Sequence, residues 1–329
     1  MPNFFTRSID WLRRLFRREP APGRWVEGSA FTLSGIVGLH PFLVPRRSFR
    51  LYVPRGYGRR PRAPLLVLLH GCKQTAMEFA QGARIAAWAD ANRVLVLMPE
   101  QAQAANPYGC WNWFDTRTAS GKGEAAIVAK MIDKIAARWR ADRERVVVAG
   151  MSAGAALAAV LGVRHPDLVR AVVAHSGIAC GAAASPYTAL SVMKRGPETD
   201  VAALASRARG TRDVRVPLLV VHGAVDDVVA PRNAEGLARQ FLALNGVDVP
   251  HGGDTALPAP FIDTRDATRL PHVTRTREWH RDGIPIVKLV EVQSLGHAWS
   301  GGDASVPANE PLAPDATAMI GTLMAGLAR

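Results

Sequence analysis

Gly150-Met151-Ser152-Ala153-Gly154 sets a hydroxyl between glycines, directly after the β-branched run Val146-Val147-Val148 and ahead of an alanine-rich stretch. This is the composition of a tight strand-to-helix corner that holds a serine clear of the sheet, the glycines allowing close approach of neighbouring chain. Such a serine attacks a carbonyl carbon only if a base takes its proton. Among nine histidines, His297 in "SLGHAWSGG" follows the last apolar run on a glycine-rich loop and is assigned as that base. His70 and His222 precede glycines at strand ends and read as turn-shaping residues, and His175 reads as a packed strand-end residue. His165, His251, His272 and His280 lie in polar or proline-rich segments and read as surface, while His40 precedes the domain. An imidazole base needs a carboxylate to fix its tautomer and stabilise its cation. "VVHGAVDDVVAP" offers Asp226 and Asp227; adjacent loop residues point in different directions, so Asp226 is assigned and Asp227 is left as a loop or capping group. The oxyanion formed in the attack needs two donors, here the N–H of Ala153 at the start of a helix and the N–H of Cys72 in "LLHGCKQT".

These residues need a frame that brings distant segments together. Apolar runs at 29–36, 49–54, 64–71, 93–99, 145–150, 171–177, 217–223 and 287–292 read as strands. Helical periodicity occupies 76–92, 123–141, 153–164, 231–245 and 313–328. Runs apolar on both faces suit a parallel sheet covered by helices, and the alternation predicts an α/β fold with a mostly parallel eight-stranded sheet and helices on both faces. Ligands of such sheets bind beyond the carboxyl ends of the strands. Ser152, Asp226 and His297 each follow directly on an expected strand, as do His70, His175 and His222.

The chain of 329 residues is long enough for one large domain and shows no internal repeat. It divides into a basic amphipathic extension, 1–28, and a catalytic domain, 29–329. In the extension, Phe4, Phe5, Ile9, Leu12, Leu15 and Phe16 recur at helical spacing among Arg7, Arg13, Arg14, Arg17 and Arg18. Residues 1–20 therefore suit peripheral contact with a membrane or polymer granule, or packing on the domain. The stretch lacks the uninterrupted apolar segment and cleavage site of an ordinary signal peptide, and no run approaches the ~18 apolar residues of a membrane span; the compartment stays open. A net charge of +13 is spread along the chain without a nucleic-acid-binding module, so no nucleic-acid partner is expected. Cys72, Cys110 and Cys180 form neither a disulfide framework nor a metal-ligand spacing; a Cys72–Cys110 bridge and a pair of buried thiols are both compatible with the pattern.

"LLHGCKQTAMEFA", "PEQAQAANPYGCWNWF", "GMSAGAALAAV", "HSGIACGAA", "VHGAVDDVVAPRNAE" and "GHAWSGG", taken together, resemble the poly(3-hydroxybutyrate) depolymerase family of esterases and are similar to acetylxylan and feruloyl esterases. The resemblance runs from about residue 45 to about 325, and the order Ser152, Asp226, His297 is that of α/β-hydrolases. It implies ester hydrolysis through an acyl-enzyme, with no metal or organic cofactor, on a polyester or small acyl-ester substrate. The family's active loop matches Trp111, Asn112, Trp113 and Phe114. Trp111, Trp113 and Trp299 are expected to wall the acyl or alcohol site, with core packing as the alternative. Glu100 and Gln101 either line that pocket or shape its loop. Alternatives to a polyester depolymerase are a carboxylesterase removing short acyl or feruloyl groups from polysaccharide, a peptidase of the same fold, and a non-catalytic scaffold on a granule or membrane.

Overall fold

The computed structural model describes residues 22–31, 46–58, 62–250, 256–268 and 270–327. Residues 1–20 of the extension, His40, His251 and the second half of the expected first strand lie outside them. The main sheet is built from β1 (Arg24–Phe31), β2 (Arg46–Val53), β3 (Leu65–Leu69), β4 (Leu95–Glu100), β5 (Val146–Met151), β6 (Ala171–His175), β7 (Leu218–Gly223), β8 (Ile262–Asp266), β9 (Thr274–Arg281) and β10 (Ile284–Val292). The short pair β11 (Trp299–Ser300) and β12 (Asn309–Glu310) stands apart from it. The helices are α1 (Ala76–Gly82), α2 (Ile85–Asn92), α3 (Thr116–Ala119), α4 (Gly123–Arg138), α5 (Ala153–Arg164), α6 (Pro186–Arg195), α7 (Val201–Arg209), α8 (Arg232–Leu244) and α9 (Ala316–Gly326).

The strands lie in the order β1-β2-β4-β3-β5-β6-β7-β10-β9-β8. From β4 to β10 the pairing is parallel, while β1, β2, β8 and β9 extend both edges antiparallel. The sheet thus has ten strands where eight were expected. β8 and β9 are the additions: "IDTRD" and "TRTREWHR" keep most side chains in partial or full contact with water, so they carry no apolar run to read. β1 begins at Arg24, inside the span read as an extension, and pairs with β2 from Arg24↔Val53 to Phe31↔Arg46.

Strand side chains alternate between two cores. Leu65, Val67 and Leu69 of β3 pack with α4, α5, α7 and α8 on one face; Leu66 and Leu68 pack with α1, α2 and α9 on the other. Both sets are fully buried, at about 1.5–3 kcal/mol per large aliphatic side chain, which makes the central strands the rigid part of the frame. The helical run expected over 76–92 is two helices, because Arg84 adopts a left-handed φ of 52° between them.

Candidate active site

Ser152 sits at φ 55° and ψ −122°, between the last residue of β5 and the first of α5. A non-glycine residue in that region costs on the order of 1–3 kcal/mol and persists only where its surroundings fix it. Here the Ser152 N–H donates to the His175 carbonyl at 2.9 Å. A Cβ on Gly150 would lie 2.5 Å from the Gly154 carbonyl carbon, and one on Gly154 would lie 2.2 Å from the Leu69 carbonyl oxygen. No side chain fits at either position, which is why glycines bracket the serine. Every residue of α5 from Ala153 to Val163 is buried, so the alanines reflect a helix enclosed between the sheet and its neighbours.

The loop after β3 reaches the same corner. A Cβ built on Gly71 would stand 3.6 Å from the Ser152 Cβ, so the loop that carries Cys72 passes beside the serine at Gly71. The N–H groups of Cys72 and Ala153, the two expected oxyanion donors, have no hydrogen-bond partner among the described residues. Cys72 is bridged to Cys110, with Cα atoms 4.2 Å apart, which decides between the bridge and free thiols; Cys180 is a buried thiol.

Beyond β7 and β10 the acid and base meet. His297 Nδ1 donates to Asp226 Oδ2 at 2.8 Å, and Asp226 Oδ1 accepts the N–H groups of Val228 at 3.0 Å and Val229 at 2.8 Å. Burial pushes the Asp226 pKa up, but His297 and the Val229 N–H outweigh it and hold the carboxyl down at about 2. Asp227 is exposed, and its carbonyl accepts the Lys194 ammonium. His222 shapes the acid's turn, as expected: its Nε2 donates to the Val229 carbonyl at 2.8 Å and lies 3.6 Å from Asp226 Oδ2. The Val225 N–H donates to the Leu295 carbonyl at 3.2 Å, fastening the acid's loop to the base's loop.

His175 joins this pair to the serine corner. Its carbonyl holds the Ser152 N–H, and its Nε2 accepts the Ser300 N–H at 3.1 Å, three residues beyond His297. Its ring stacks on Trp299 at 5.0 Å. Burial, followed by the neighbouring His222 and His297, pushes the His175 pKa down to about 3, so it is neutral at ordinary pH.

The three tryptophans are core residues, with exposures of 0% for Trp111, 4% for Trp113 and 1% for Trp299. Trp111 and Trp113 belong to the core on one face of the sheet and Trp299 to the other, so the structure does not gather them into one wall. Their large apolar area is used for packing: Trp299 lies between His175 and an edge-on Phe79. His272, expected on the surface, is buried beside the Gln293 carbonyl and Glu310. Gln101 is a loop-shaping residue in a polar cluster that the sequence pattern did not reveal. In it, Arg47 donates to Gln101 Oε1 at 2.5 Å and to Glu124 Oε1 at 2.9 Å.

A parallel-centred sheet flanked by helices on both faces, with a strained serine after β5, a carboxylate after β7 and an imidazole after β10, is an α/β-hydrolase. The chain belongs to the esterase PHB depolymerase family, whose model matches residues 47–256, and with it to the serine hydrolases that act on carboxylic esters. It is 29% identical over 246 residues to poly(3-hydroxyalkanoate) depolymerase C of Paucimonas lemoignei, covering 73% of this chain and 56% of that protein. Feruloyl esterase B of Neurospora crassa is 26% identical, over 79% of this chain and 83% of its own. Among solved structures, acetyl xylan esterase from Aspergillus awamori superposes with a TM-score of 0.65 at 20% identity, covering 83% of this chain and 94% of that one.

Proposed function

We propose that this esterase hydrolyses poly(3-hydroxybutyrate) or its oligomers through an acyl-enzyme. Ser152 attacks the ester carbonyl while His297 takes its proton, and Asp226, bound to His297 Nδ1 at 2.8 Å, fixes the tautomer that leaves Nε2 free to act. The N–H groups of Ala153 and Cys72 receive the developing oxyanion, aided by the amino end of α5. His297 then protonates the departing alcohol and activates water for deacylation. The Asp226–His297 pair, its carboxylate buried and its imidazole partly exposed, fastened to the Ser152 corner through His175, is the observation that carries this reading. Family membership and the depolymerase of Paucimonas lemoignei favour a polyester.

A second reading, removal of short acyl or feruloyl groups from polysaccharide, is favoured by coverage: the chain spans 83% of the feruloyl esterase but 56% of the depolymerase. Release of 3-hydroxybutyrate from amorphous granules and oligomers, measured beside nitrophenyl acetate and butyrate, separates the two. Release that vanishes in Ser152→Ala is the expected result. Turnover of the small esters alone would retain the chemistry and reject the polyester. Granule or membrane contact by residues 1–20 is a companion proposal, tested by comparing granule binding of the full chain with that of a chain lacking them; equal binding would remove it.

A further inference from the structure

Glu124 lies in the first turn of α4, 6% exposed, and the proposed reaction makes no use of it. Its carboxylate is the centre of the polar cluster. Oε1 accepts from Arg47 Nη2 at 2.9 Å, Gln101 Nε2 at 2.6 Å and Asn112 Nδ2 at 3.0 Å, while Oε2 accepts the Asn112 N–H at 2.7 Å. These donors belong to β2 and to both ends of the loop between β4 and α3. Gln101 Nε2 also donates to the Cys110 carbonyl at 2.8 Å. Within the loop, Asn112 Oδ1 accepts from Asn106 Nδ2 at 2.9 Å, and Asn106 Oδ1 accepts the Tyr108 N–H at 3.0 Å. The whole turn is therefore wound around one buried carboxylate.

That turn is tied to the oxyanion loop twice. Cys110 is bonded to Cys72, and the Tyr108 carbonyl accepts the Lys73 N–H at 2.8 Å. The residue that bears the donor N–H, Cys72, is thus joined covalently to the turn, and the residue after it, Lys73, is hydrogen-bonded to it. Lys73 itself has a left-handed φ of 59°, so the oxyanion loop holds a conformation that its own sequence does not favour.

We propose that Glu124 is a positioning residue for the oxyanion hole, acting through the loop 101–112 and the Cys72–Cys110 bridge; the inference rests on the esterase reading above. Oxyanion donors work only when fixed where charge develops, and a misplacement of about 1 Å costs up to ~100-fold in rate. Glu124→Gln keeps the shape but turns an amide NH₂ toward N–H donors on one side, leaving donors opposed and unsatisfied. The turn must then shift, and Cys72 with it.

The test uses the full chain and nitrophenyl butyrate, with phenylboronate as a probe that forms a tetrahedral adduct on serine. Glu124→Gln should lower kcat about 10- to 100-fold, leave KM within about twofold, and weaken phenylboronate inhibition by a factor similar to the loss in kcat. The Cys72→Ser/Cys110→Ser double variant should show the same kcat-selective pattern. Combining it with Glu124→Gln should cost less than the product of the two separate losses, because both act on one element. Wild-type kcat and phenylboronate affinity in Glu124→Gln, with only a lowered Tm, would overturn the proposal. So would separate losses that multiply. If Glu124→Gln fails to fold, full kcat in the bridge-less variant overturns it equally. Absence of Ser152-dependent turnover and of fluorophosphonate labelling in the wild type would reject the esterase reading itself, and this inference with it.

Discussion

Asp226 and Asp227 are neighbours in sequence with the same charge, and only their surroundings separate them. Asp226 is buried and bonded to His297, whereas Asp227 faces solvent. Asp226→Asn should lower kcat/KM by about 10³–10⁴-fold, since the amide no longer fixes the productive tautomer, while Asp227→Asn stays within about threefold of wild type. Nitrophenyl butyrate kinetics on both variants check this, and equal losses would mean that the acid has been misassigned. Sequence pointed to Ser152, Asp226 and His297 because each follows a short apolar run, rich in β-branched residues, that reads as a buried strand. Arg47, Gln101, Asn112 and Glu124 had no such signal. They lie on three separate elements and meet only because β2 pairs with β4 and Glu124 of α4 reaches the loop that follows β4. The tryptophans misled for another reason: an indole wall and an indole core have the same composition, and burial alone distinguishes them.

Elements were legible in proportion to their burial. β3, β5, β6 and β7 are buried at every position and read as apolar runs, broken only by His175 at the end of β6 and His222 near the end of β7. β8 is exposed at four of its five positions, and it escaped notice with β9. The carboxyl ends of the central strands fix the loops on which the proposed chemistry depends, and Gly223 shows how closely. A Cβ there would stand 2.1 Å from the Leu295 carbonyl oxygen, forcing the end of β7 away from the loop that bears His297. Gly223→Ala should therefore destabilise the fold by about 1–3 kcal/mol and lower kcat by at least about tenfold, as acid and base separate. Gly296→Ala is the control for stability, because a Cβ at that position meets nothing within 4 Å. Thermal melts and kinetics on the pair decide the matter; a Gly223→Ala protein with wild-type Tm would show that the two loops yield more freely than their contacts imply.

At the scale of the whole molecule, the buried polar groups under the site make stability depend on pH. His175 stays neutral in the fold down to pH about 3, whereas in the unfolded chain it takes a proton near 6.5. Between those values the unfolded state binds more protons than the folded one, so stability is lost as pH falls through that interval and regained as it rises. Asp226 acts in the same sense lower down: its charged form is stabilised in the fold, a contribution present above its ordinary 3.8 and lost as pH falls through about 2. The net charge of +13 adds repulsion on acidification, but that term is common to the wild type and to any variant that keeps the same ionised surface. Replacing His175 with Asn isolates the histidine. The variant should be less stable at pH 7, having lost the stacking on Trp299 and the acceptor for the Ser300 N–H. Between pH 4 and 6 its unfolding free energy should fall less steeply than that of the wild type, by about 1.4 kcal/mol per pH unit where one proton is at stake. Urea unfolding at a series of pH values measures both slopes, and parallel slopes would mean that His175 accepts its proton in the folded protein as readily as in the unfolded chain.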